Sequence, residues 1–226
     1  MKRIAAADSM MRTGSKAGIV VWGAGGHAKV VLDILTLSEC KILGFVDDTA
    51  ARKRSRHFCG FPLYGNVKEV PVSEGRHIFI AIGNNEARQQ KSASAEEQGF
   101  QLVSIVHPRA IIARDVQVGP GTLVAAGAVI NPGAVIGKNV IVNTLACIEH
   151  DCTIENGVHV APGARLAGHV RVGSGAWIGI GATIIDKITI GKHSIIGAGS
   201  VVIRNIPADV VVAGVPARMI RTVPSN

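Results

Sequence analysis

The stretch "VAAGAVINPGAVIGKNVIVNTLACIEHDCTI", Val124–Ile154, carries an aliphatic residue at every sixth position. The same period extends from Val106 to Val202, and all seventeen of its positions are Val, Ile or Leu. A small or β-branched residue follows four positions later, for example Ala128 and Cys152. We expect both kinds of position to point inward, because a single repeat buries too little apolar surface and needs its neighbours to form a core. The period therefore predicts a stack of short repeats.

The composition agrees with a repetitive β architecture. Hydrophobic residues make up 47% of the 226 residues, aromatic residues only 4%, and there are 27 glycines. The four cysteines show no C-x-x-C spacing, so neither a zinc site nor a disulfide framework is predicted, and a reduced, cytoplasmic setting follows by default. No apolar run reaches the roughly 18 residues of a membrane span, so no membrane partner is expected.

The formal net charge of +8 is dispersed along the chain, apart from the basic run "ARKRSRH" at Ala51–His57. A solvated loop is the favoured interpretation of this run, and a phosphate-binding loop for an anionic substrate is the alternative. Nucleic-acid binding is disfavoured, because no aromatic residues interleave with the charges. Residues 1–17 are basic but lack the apolar segment of a signal peptide, and we expect them to be a flexible extension.

Between Gly18 and His107 the pattern is different and predicts alternating strands and helices. The segment "GIVVWGAGGHAKVVLDIL" is typical of a strand, a Gly-rich turn and an amphipathic helix. A second strand is predicted in "KILGFVDD", a third strand followed by a helix in "HIFIAIGNNEARQQ", and a fourth strand in "QLVSIVHP". This alternation predicts a small parallel α/β sheet.

The Gly-rich turn matches the dinucleotide fingerprint G-x-G-x-x-A at Gly23, Gly25 and Ala28, with Asp47 and Asp48 near the place of a ribose-binding acid. About ninety residues are too few for a complete two-half dinucleotide domain, and no hydride-transfer site accompanies the turn. Backbone N–H groups at the start of the helix would suit the diphosphate of a sugar nucleotide equally well. A purely structural turn remains the alternative.

Taken together, "GAGGHAKVV", "GFVDD", "AIGNNEAR", the repeats, "IEHDC" and "GVPAR" cover nearly the whole chain. This set resembles the sialic acid O-acetyltransferase-like family of hexapeptide-repeat acyltransferases. It is most similar to the branch that N-acetylates nucleotide-linked amino sugars of the bacillosamine and perosamine type. The resemblance implies a Rossmann-like nucleotide-sugar-binding domain at residues 18–105, a left-handed parallel β-helix at 106–206, and a CoA-contacting loop and tail at 207–226.

The resemblance also implies where the nucleotide-sugar binds. Gly25, Gly26 and His27 would lie near the diphosphate, and Asp47 or Asp48 near the base or the ribose. Two asparagines and an arginine of "AIGNNEAR" would close the pocket, although a helix cap is an equally adequate interpretation of either asparagine. The predicted nucleotide-sugar-binding residues are Gly23, Gly25, Gly26, His27, Asp47, Asp48, Asn84 and Asn85, with Arg88 as a further candidate.

The catalytic histidine of the family corresponds to His150. In the hexad around it, the inward positions belong to Ile148 and Cys152, so Cys152 is interpreted as a corner-filling residue and His150 points outward. A neutral imidazole can remove the proton of an attacking sugar amine, and an acid on the other ring nitrogen would orient it. We predict His150 as the general base with Asp151 supporting it. The family commonly has Glu at this position, and the shorter Asp reaches less far.

In the β-helix that the resemblance implies, three six-residue repeats form one coil of eighteen residues. Gly168 then lies directly above His150, and its backbone would contact the acetyl carbonyl or the pantetheine arm of acetyl-CoA. His159 lies half a coil away, so the two histidines share a site only if neighbouring chains meet, as in a homotrimer. By resemblance, Asn143 and His159 belong to that neighbouring wall. His169 and His193 are interpreted as surface residues, and Trp177 is placed at a corner without a role. The loop predicted to contact CoA comprises Gly214, Val215, Pro216, Ala217 and Arg218, with plain solvation as the alternative for Arg218.

These observations favour an acetyl-CoA-dependent N-acetyltransferase that acts on a nucleotide-activated amino sugar, of the 4-amino-4,6-dideoxy type. The amine would attack directly within a ternary complex, without a metal. The alternatives are O-acetylation of a sialic acid or its activated form, and a non-catalytic scaffold. We expect a cytoplasmic homotrimer with active sites at its subunit interfaces and with neither a nucleic-acid nor a membrane partner.

Overall fold

The computed structural model describes residues 18–49, 56–71 and 76–223. The predicted extension at residues 1–17 and most of the basic run Ala51–His57 lie outside the described residues. The chain divides into two compact units, Met1–Pro108 and Arg109–Asn226. No helix within the described ranges is long and apolar enough to cross a membrane.

The first unit is a six-stranded sheet with two α-helices. Its elements are β1 (Ile19–Trp22), α1 (Gly26–Leu37), β2 (Ile42–Val46), β3 (His57–Phe58), β4 (Phe61–Tyr64), a short 3-10 helix (Val67–Glu69), β5 (His77–Ile80), α2 (Asn85–Glu97), β6 (Gln101–Leu102) and β7 (Ile105–Val106). The strand order is β3-β4-β2-β1-β5-β6. All neighbours in this sheet are parallel except the β3–β4 hairpin. The predicted parallel α/β unit is confirmed.

Two details of this unit differ from the prediction. The segment "QLVSIVHP" forms two short strands, because the chain leaves the sheet after Val103, whose N–H group still donates to Ile78 O at 3.1 Å. The β3–β4 hairpin was not predicted. Its Phe58 and Phe61 rings pack 4.8 and 6.1 Å from the ring of buried Phe45, so tertiary packing rather than strict alternation supports it.

The second unit is a left-handed parallel β-helix of two-residue strands. These strands are β8 (Ile111–Ile112), β9 (Gln117–Val118), β10 (Leu123–Val124), β11 (Val129–Ile130), β12 (Val135–Ile136), β13 (Ile141–Val142), β14 (Cys147–Ile148), β15 (Thr153–Ile154), β16 (His159–Val160), β17 (Arg165–Leu166), β18 (Arg171–Val172), β19 (Trp177–Ile178), β20 (Thr183–Ile184), β21 (Thr189–Ile190), β22 (Ile195–Ile196) and β23 (Val201–Val202). An antiparallel pair, β24 (Val210–Gly214) and β25 (Ala217–Thr222), follows them.

Every third strand pairs in parallel, so each face of the helix is a ladder of strands one coil apart, as for Ile148 opposite Leu166. The aliphatic positions from Val118 to Val202 are at most 3% exposed. The small residues between them are equally buried, with Ala128 and Cys152 both at 0%. The predicted repeat register is therefore confirmed, and the core of this unit consists of stacked aliphatic layers.

The corners between strands form columns that run along the outside of the helix. One column contains Gly133, Asp151, His169 and Lys187, and all four have φ values between 57° and 74°. This left-handed conformation is easiest for Gly and is tolerated by Asp. Because these side chains lie outside the packed layers, successive coils bring polar groups together without disturbing the core.

Candidate active site

The corner that follows β14 carries the predicted catalytic pair. Ile148 and Cys152, on either side of it, point inward and are fully buried, whereas His150 and Asp151 have side chains about half exposed, 53% and 52%. Burial raises the pKa of the Cys152 thiol to about 11, and its Sγ donates to Ala167 O at 3.1 Å. The protonated, inward thiol agrees with the interpretation of Cys152 as a corner-filling residue.

The two side chains at this corner are directly bonded. His150 Nδ1 lies 2.8 Å from Asp151 Oδ2, so the shorter acid does reach the ring. An ionised carboxylate only accepts hydrogen bonds, which assigns the ring proton to Nδ1. His150 Nε2 then carries the lone pair, and it is the nitrogen that could take a proton from a reacting group.

Gly168 lies against the His150 ring, one coil further along, as the spacing predicts. A Cβ atom on Gly168 would come within 2.6 Å of His150 Cε1 and 2.7 Å of Nε2. The coils are also joined by the bond from His169 N to His150 O, at 3.0 Å. Within the described chain the N–H group of Gly168 donates to no acceptor. The Cε1–Nε2 edge of the ring therefore lies against the backbone of Gly168.

His169 belongs to the same corner, and the sequence interpretation as a plain surface residue missed this. Its Nε2 lies 3.8 Å from Asp151 Oδ2, and its ring meets the His150 ring edge-on with centroids 5.1 Å apart. The signal was available, because Asp151 plus one coil of eighteen residues is His169. By contrast, His193 pairs with Asp209 at 3.0 Å and is not part of this group. We call His150, Asp151 and His169 the corner cluster.

Asn143 and His159 form a second polar pair, on a different face of the helix. Asn143 Nδ2 lies 3.1 Å from His159 Nε2, and His159 is only 5% exposed. The His159 ring packs 4.2 Å from the ring of Trp177, its neighbour in the ladder. Trp177 lies within β19 and not at a corner, so that placement was wrong. The structure brings Asn143 and His159 together but does not place them beside His150 within one chain.

The predicted CoA-contacting loop is the turn between β24 and β25. Gly214 pairs with Ala217 across the turn, and Val215 at its tip is 74% exposed. Arg218 Nη1 donates to Ala217 O at 3.0 Å, and the rest of this side chain is exposed. The turn, which also contains Pro216, therefore presents apolar and cationic groups outward.

In the first unit, the Gly-rich turn leaves the start of α1 open. Gly23 has φ 121°, and a Cβ there would lie 2.7 Å from Ala81 O, so only glycine fits. Gly25 and Gly26 are exposed, no atoms lie within 4 Å of a Cβ at either, and no side chain caps the helix. Unpaired N–H groups at an open helix start are suited to an anion.

His27 follows this turn and lies near a buried cation. Burial, and secondarily the charge of Arg88, lowers the pKa of His27 to about 4, and its buried Nε2 has no hydrogen-bond partner within the described part of the chain. Arg88 is fully buried, and burial lowers its pKa to about 10. It donates to Ile82 O, Gly83 O and Asn85 Oδ1 at 2.8–3.1 Å. Arg88 thus braces the loop before α2 from the inside.

The acidic residues after β2 have partners within the unit. Asp47 Oδ2 accepts from Ala24 N at 3.1 Å, which ties the Gly-rich turn to the end of β2. Asp48 forms an ion pair with Lys91, whose ammonium lies 5.0 Å from the centre of the Trp22 ring. A groove of 260 Å³ is lined by this group together with Gly65, Asn66, Lys68, Ser94 and Gln98.

Asn84 occupies the position of a helix cap. Its Oδ1 accepts from Ala87 N at 2.9 Å at the start of α2. The helix-cap interpretation of this residue is therefore confirmed, while contact with a nucleotide-sugar stays a prediction for it and for Asn85.

Comparisons with known proteins give a consistent result for both units. The family described as "PglD N-terminal domain" matches residues 18–95, and "Bacterial transferase hexapeptide (six repeats)" matches residues 133–168 and 169–204. The GDP-perosamine N-acetyltransferase of Escherichia coli O157:H7 is 31% identical over 91% of this chain and 97% of its own length. This chain belongs to the perosamine and bacillosamine N-acetyltransferase family.

Solved members of this N-acetyltransferase family share the fold. A perosamine N-acetyltransferase from Caulobacter crescentus, in complex with CoA and GDP-perosamine, is 37% identical with a TM-score of 0.84 and covers 91% of this chain and 98% of its own. The acetyltransferase domain of PglB from Neisseria gonorrhoeae FA1090, in complex with acetyl coenzyme A, is 35% identical with the same TM-score over 91% and 100% of the two chains. The predicted fold class and the predicted class of enzyme, an acyltransferase, are confirmed.

Proposed function

We propose that this enzyme transfers the acetyl group of acetyl-CoA to the amino group of a nucleotide-activated amino sugar, with His150 as the general base. The observation that carries the proposal is the 2.8 Å bond from His150 Nδ1 to Asp151 Oδ2, which leaves Nε2 as a proton acceptor. The relatives support the choice of substrates. The Escherichia coli relative is named for GDP-perosamine, the Caulobacter crescentus structure holds CoA and GDP-perosamine, and the PglB structure holds acetyl coenzyme A.

The proposed reaction is a direct transfer without an acyl-enzyme. The neutral amine forms a bond to the thioester carbonyl carbon, and its proton passes to His150 Nε2. Collapse of the tetrahedral intermediate breaks the bond from carbon to sulfur, and the CoA thiolate recovers the proton from the imidazolium. One amide and one thiol result. Asp151 stabilises the imidazolium between these steps and holds the ring orientation, as carboxylates do in comparable His–acid pairs.

Gly168 is proposed to assist at the carbonyl oxygen. A Cβ on Gly168 would meet Cε1 and Nε2 of His150, so the backbone of Gly168 lies beside the nitrogen that acts as the base. A preorganised donor for an oxyanion is worth about 2.7–4 kcal/mol in enzymes that catalyse acyl transfer. The side chains of the two inward neighbours, Ile148 and Cys152, provide no competing nucleophile.

For the nucleotide part of the substrate, we propose the first unit. The open start of α1 at Gly25 and Gly26 supplies N–H donors for the diphosphate. A diphosphate close to His27 would favour the protonated ring and reverse the effect of burial on its pKa. The groove beside Asp48 and Lys91 is the proposed place of the nucleoside, with the Asp48 carboxylate as a hydrogen-bond acceptor.

A homotrimer with active sites at its interfaces is also part of the proposal. The half-coil separation of His150 from Asn143 and His159 supports it, because one chain alone presents them on different faces. Mixing inactive His150→Ala subunits with inactive Asn143→Ala subunits tests the interface. In a mixed trimer, some sites combine the intact His150 of one subunit with the intact Asn143 of its neighbour, so activity should return in part. No recovery after verified subunit exchange would refute the shared site. We further propose the cytoplasm as the location, because acetyl-CoA is made and used there.

The acceptor is tested by following the release of the CoA thiol. Acetyl-CoA is supplied with a panel of GDP-, UDP- and dTDP-linked amino sugars, each paired with the corresponding hydroxy sugar, and with sialic acid and CMP-sialic acid. We expect release with an amino sugar only, and its loss in His150→Ala. Release with a sialic acid alone would establish O-acetylation instead, and equal release from His150→Ala would remove the proposed base.

A further inference from the structure

The corner cluster places three metal-ligating atoms within reach of one ion. His150 Nδ1, Asp151 Oδ2 and His169 Nε2 come from two adjacent coils, and the ligand atoms of these residues lie within 4.8 Å of one another. The distances to Asp151 Oδ2 are 2.8 Å from His150 Nδ1 and 3.8 Å from His169 Nε2. Two imidazoles and a carboxylate are a donor set that suits Zn²⁺.

The spacing fits a tetrahedral ion after small side-chain movements. Bonds of about 2.0–2.1 Å imply ligand atoms about 3.3 Å apart in a tetrahedron, so the distances from Asp151 Oδ2 to His150 Nδ1 and to His169 Nε2 each need to change by about 0.5 Å. The remaining distance, between the two histidine nitrogens, is within 4.8 Å and needs to close by at most about 1.5 Å. The two rings are perpendicular, at 89°, and are half exposed, so both can rotate. The bond from His169 N to His150 O, at 3.0 Å, keeps the two coils in register.

We propose that His150, Asp151 and His169 form a zinc site whose occupation reversibly inhibits the enzyme. An ion bound at Nδ1 takes the place of the proton there, and the neutral ring then carries its proton on Nε2. In that tautomer His150 has no lone pair for the substrate amine, and Asp151 is occupied by the ion. This inhibition rests on the proposed function of His150, whereas metal binding itself does not.

A second His–Asp pair in the same unit provides a matched control. His193 Nδ1 lies 3.0 Å from Asp209 Oδ1, close to the distance in the corner cluster. Within the described residues this pair is not part of a three-ligand group. The pair tests whether one histidine and one acid alone are sufficient to bind the ion. Removing even an outer-shell partner of a metal costs about 10- to 100-fold in affinity, so the loss of a ligand should cost at least as much.

The experiment measures binding and activity separately. Co²⁺ is titrated as a spectroscopic probe and Zn²⁺ is measured by equilibrium dialysis, with wild type, His169→Asn and His193→Asn. Asparagine tolerates the left-handed backbone at residue 169, so that variant should fold. We expect wild type and His193→Asn to bind one ion with tetrahedral cobalt absorption, and His169→Asn to bind at least about tenfold more weakly.

In the activity assay, Zn²⁺ should inhibit wild type and His193→Asn, and a chelator should restore them. Inhibition is expressed relative to the activity of each variant without zinc, and His169→Asn should need at least about tenfold more zinc for the same fractional inhibition. Equal cobalt binding by wild type and His169→Asn would overturn the site, and activation by zinc would overturn the inhibition. Should His169→Asn fail to fold, Asp151→Asn measured by cobalt binding alone gives the same test. Should no acetyl transfer be found, the binding arm still decides the metal site.

Discussion

Substituting Gly168 by alanine should disable His150 without harming the fold. The backbone of Gly168 is outside the left-handed region, so alanine is compatible with it, and such a change often stabilises by about 0.4–1 kcal/mol. The new Cβ would lie 2.6 Å from His150 Cε1, whereas ordinary contact begins at 3.4 Å. The exposed ring therefore has to retreat by the difference, 0.8 Å.

A displacement of this size should lower the rate of acetyl transfer strongly. Misplacing a catalytic group by about 1 Å can cost on the order of 100-fold in rate, which is about 2.7 kcal/mol of transition-state stabilisation. The N–H group of residue 168 remains in the variant, so the loss would report on the position of His150 rather than on the oxyanion donor. We expect kcat/KM to fall about 100-fold, with an unfolding midpoint equal to or above that of wild type.

The assay is acetyl-CoA-dependent thiol release, combined with thermal unfolding of the same preparations. The matched control is the double variant, in which His150→Ala removes the ring that the new methyl group would strike. In the His150→Ala background, adding Gly168→Ala should lower neither the residual activity nor the unfolding midpoint. A folded Gly168→Ala enzyme with kcat/KM within about twofold of wild type would refute the idea that this glycine positions the catalytic ring.

Asp151→Asn should lower kcat by about 10- to 100-fold, because an amide can donate to Nδ1 and favour the wrong tautomer of His150; steady-state kinetics across several amino-sugar concentrations measures it. His27 should protonate near pH 4 in the folded protein and near pH 6.5 when unfolded, so unfolding is favoured as the pH falls. Urea titrations should show a loss on the order of 3 kcal/mol between those values that is missing from His27→Gln, and an identical pH dependence in both would contradict the buried neutral ring. Gly23→Ala should destabilise the protein by about 1–3 kcal/mol through backbone strain, whereas Gly26→Ala should leave stability intact and weaken binding of a nucleoside diphosphate in calorimetry.

The repeat register of the β-helix could be predicted from the sequence, because its period depends only on which residues are apolar, whereas the left-handed coil of three repeats came from the family resemblance. The same aliphatic positions that define the period, such as Ile130 and Ile148, are the ones with no exposed surface. Side-chain packing between coils is repeated identically, so no distant contact has to be known in advance. The N-terminal strands were predictable for a similar reason, as their apolar runs are bounded by Gly-rich turns.

Two features that the sequence analysis missed depend on contacts that are remote in the sequence. The step of one coil that joins His150 to Gly168 also joins Asp151 to His169, yet His169 taken alone looks like an ordinary exposed histidine. Similarly, the role of Asp47 depends on the N–H group of Ala24, on a different segment of the chain. Hydrogen bonds of this kind leave no periodic pattern, because only one residue at one position takes part.

The proposed catalytic pair, His150 and Asp151, depends on two glycines that lie at corners of the repeat and take no place in its core. A Cβ on Gly168 would strike the ring of His150, and a Cβ on Gly133, one coil earlier than Asp151, would lie 2.5 Å from Asp151 Oδ1. Corners of this helix already accept glycine, because their backbone is often left-handed. The space for a base and its supporting acid can therefore arise at the corners, while every inward position keeps its aliphatic or small residue. This explains how the proposed active site fits on a repeat whose register has no interruption.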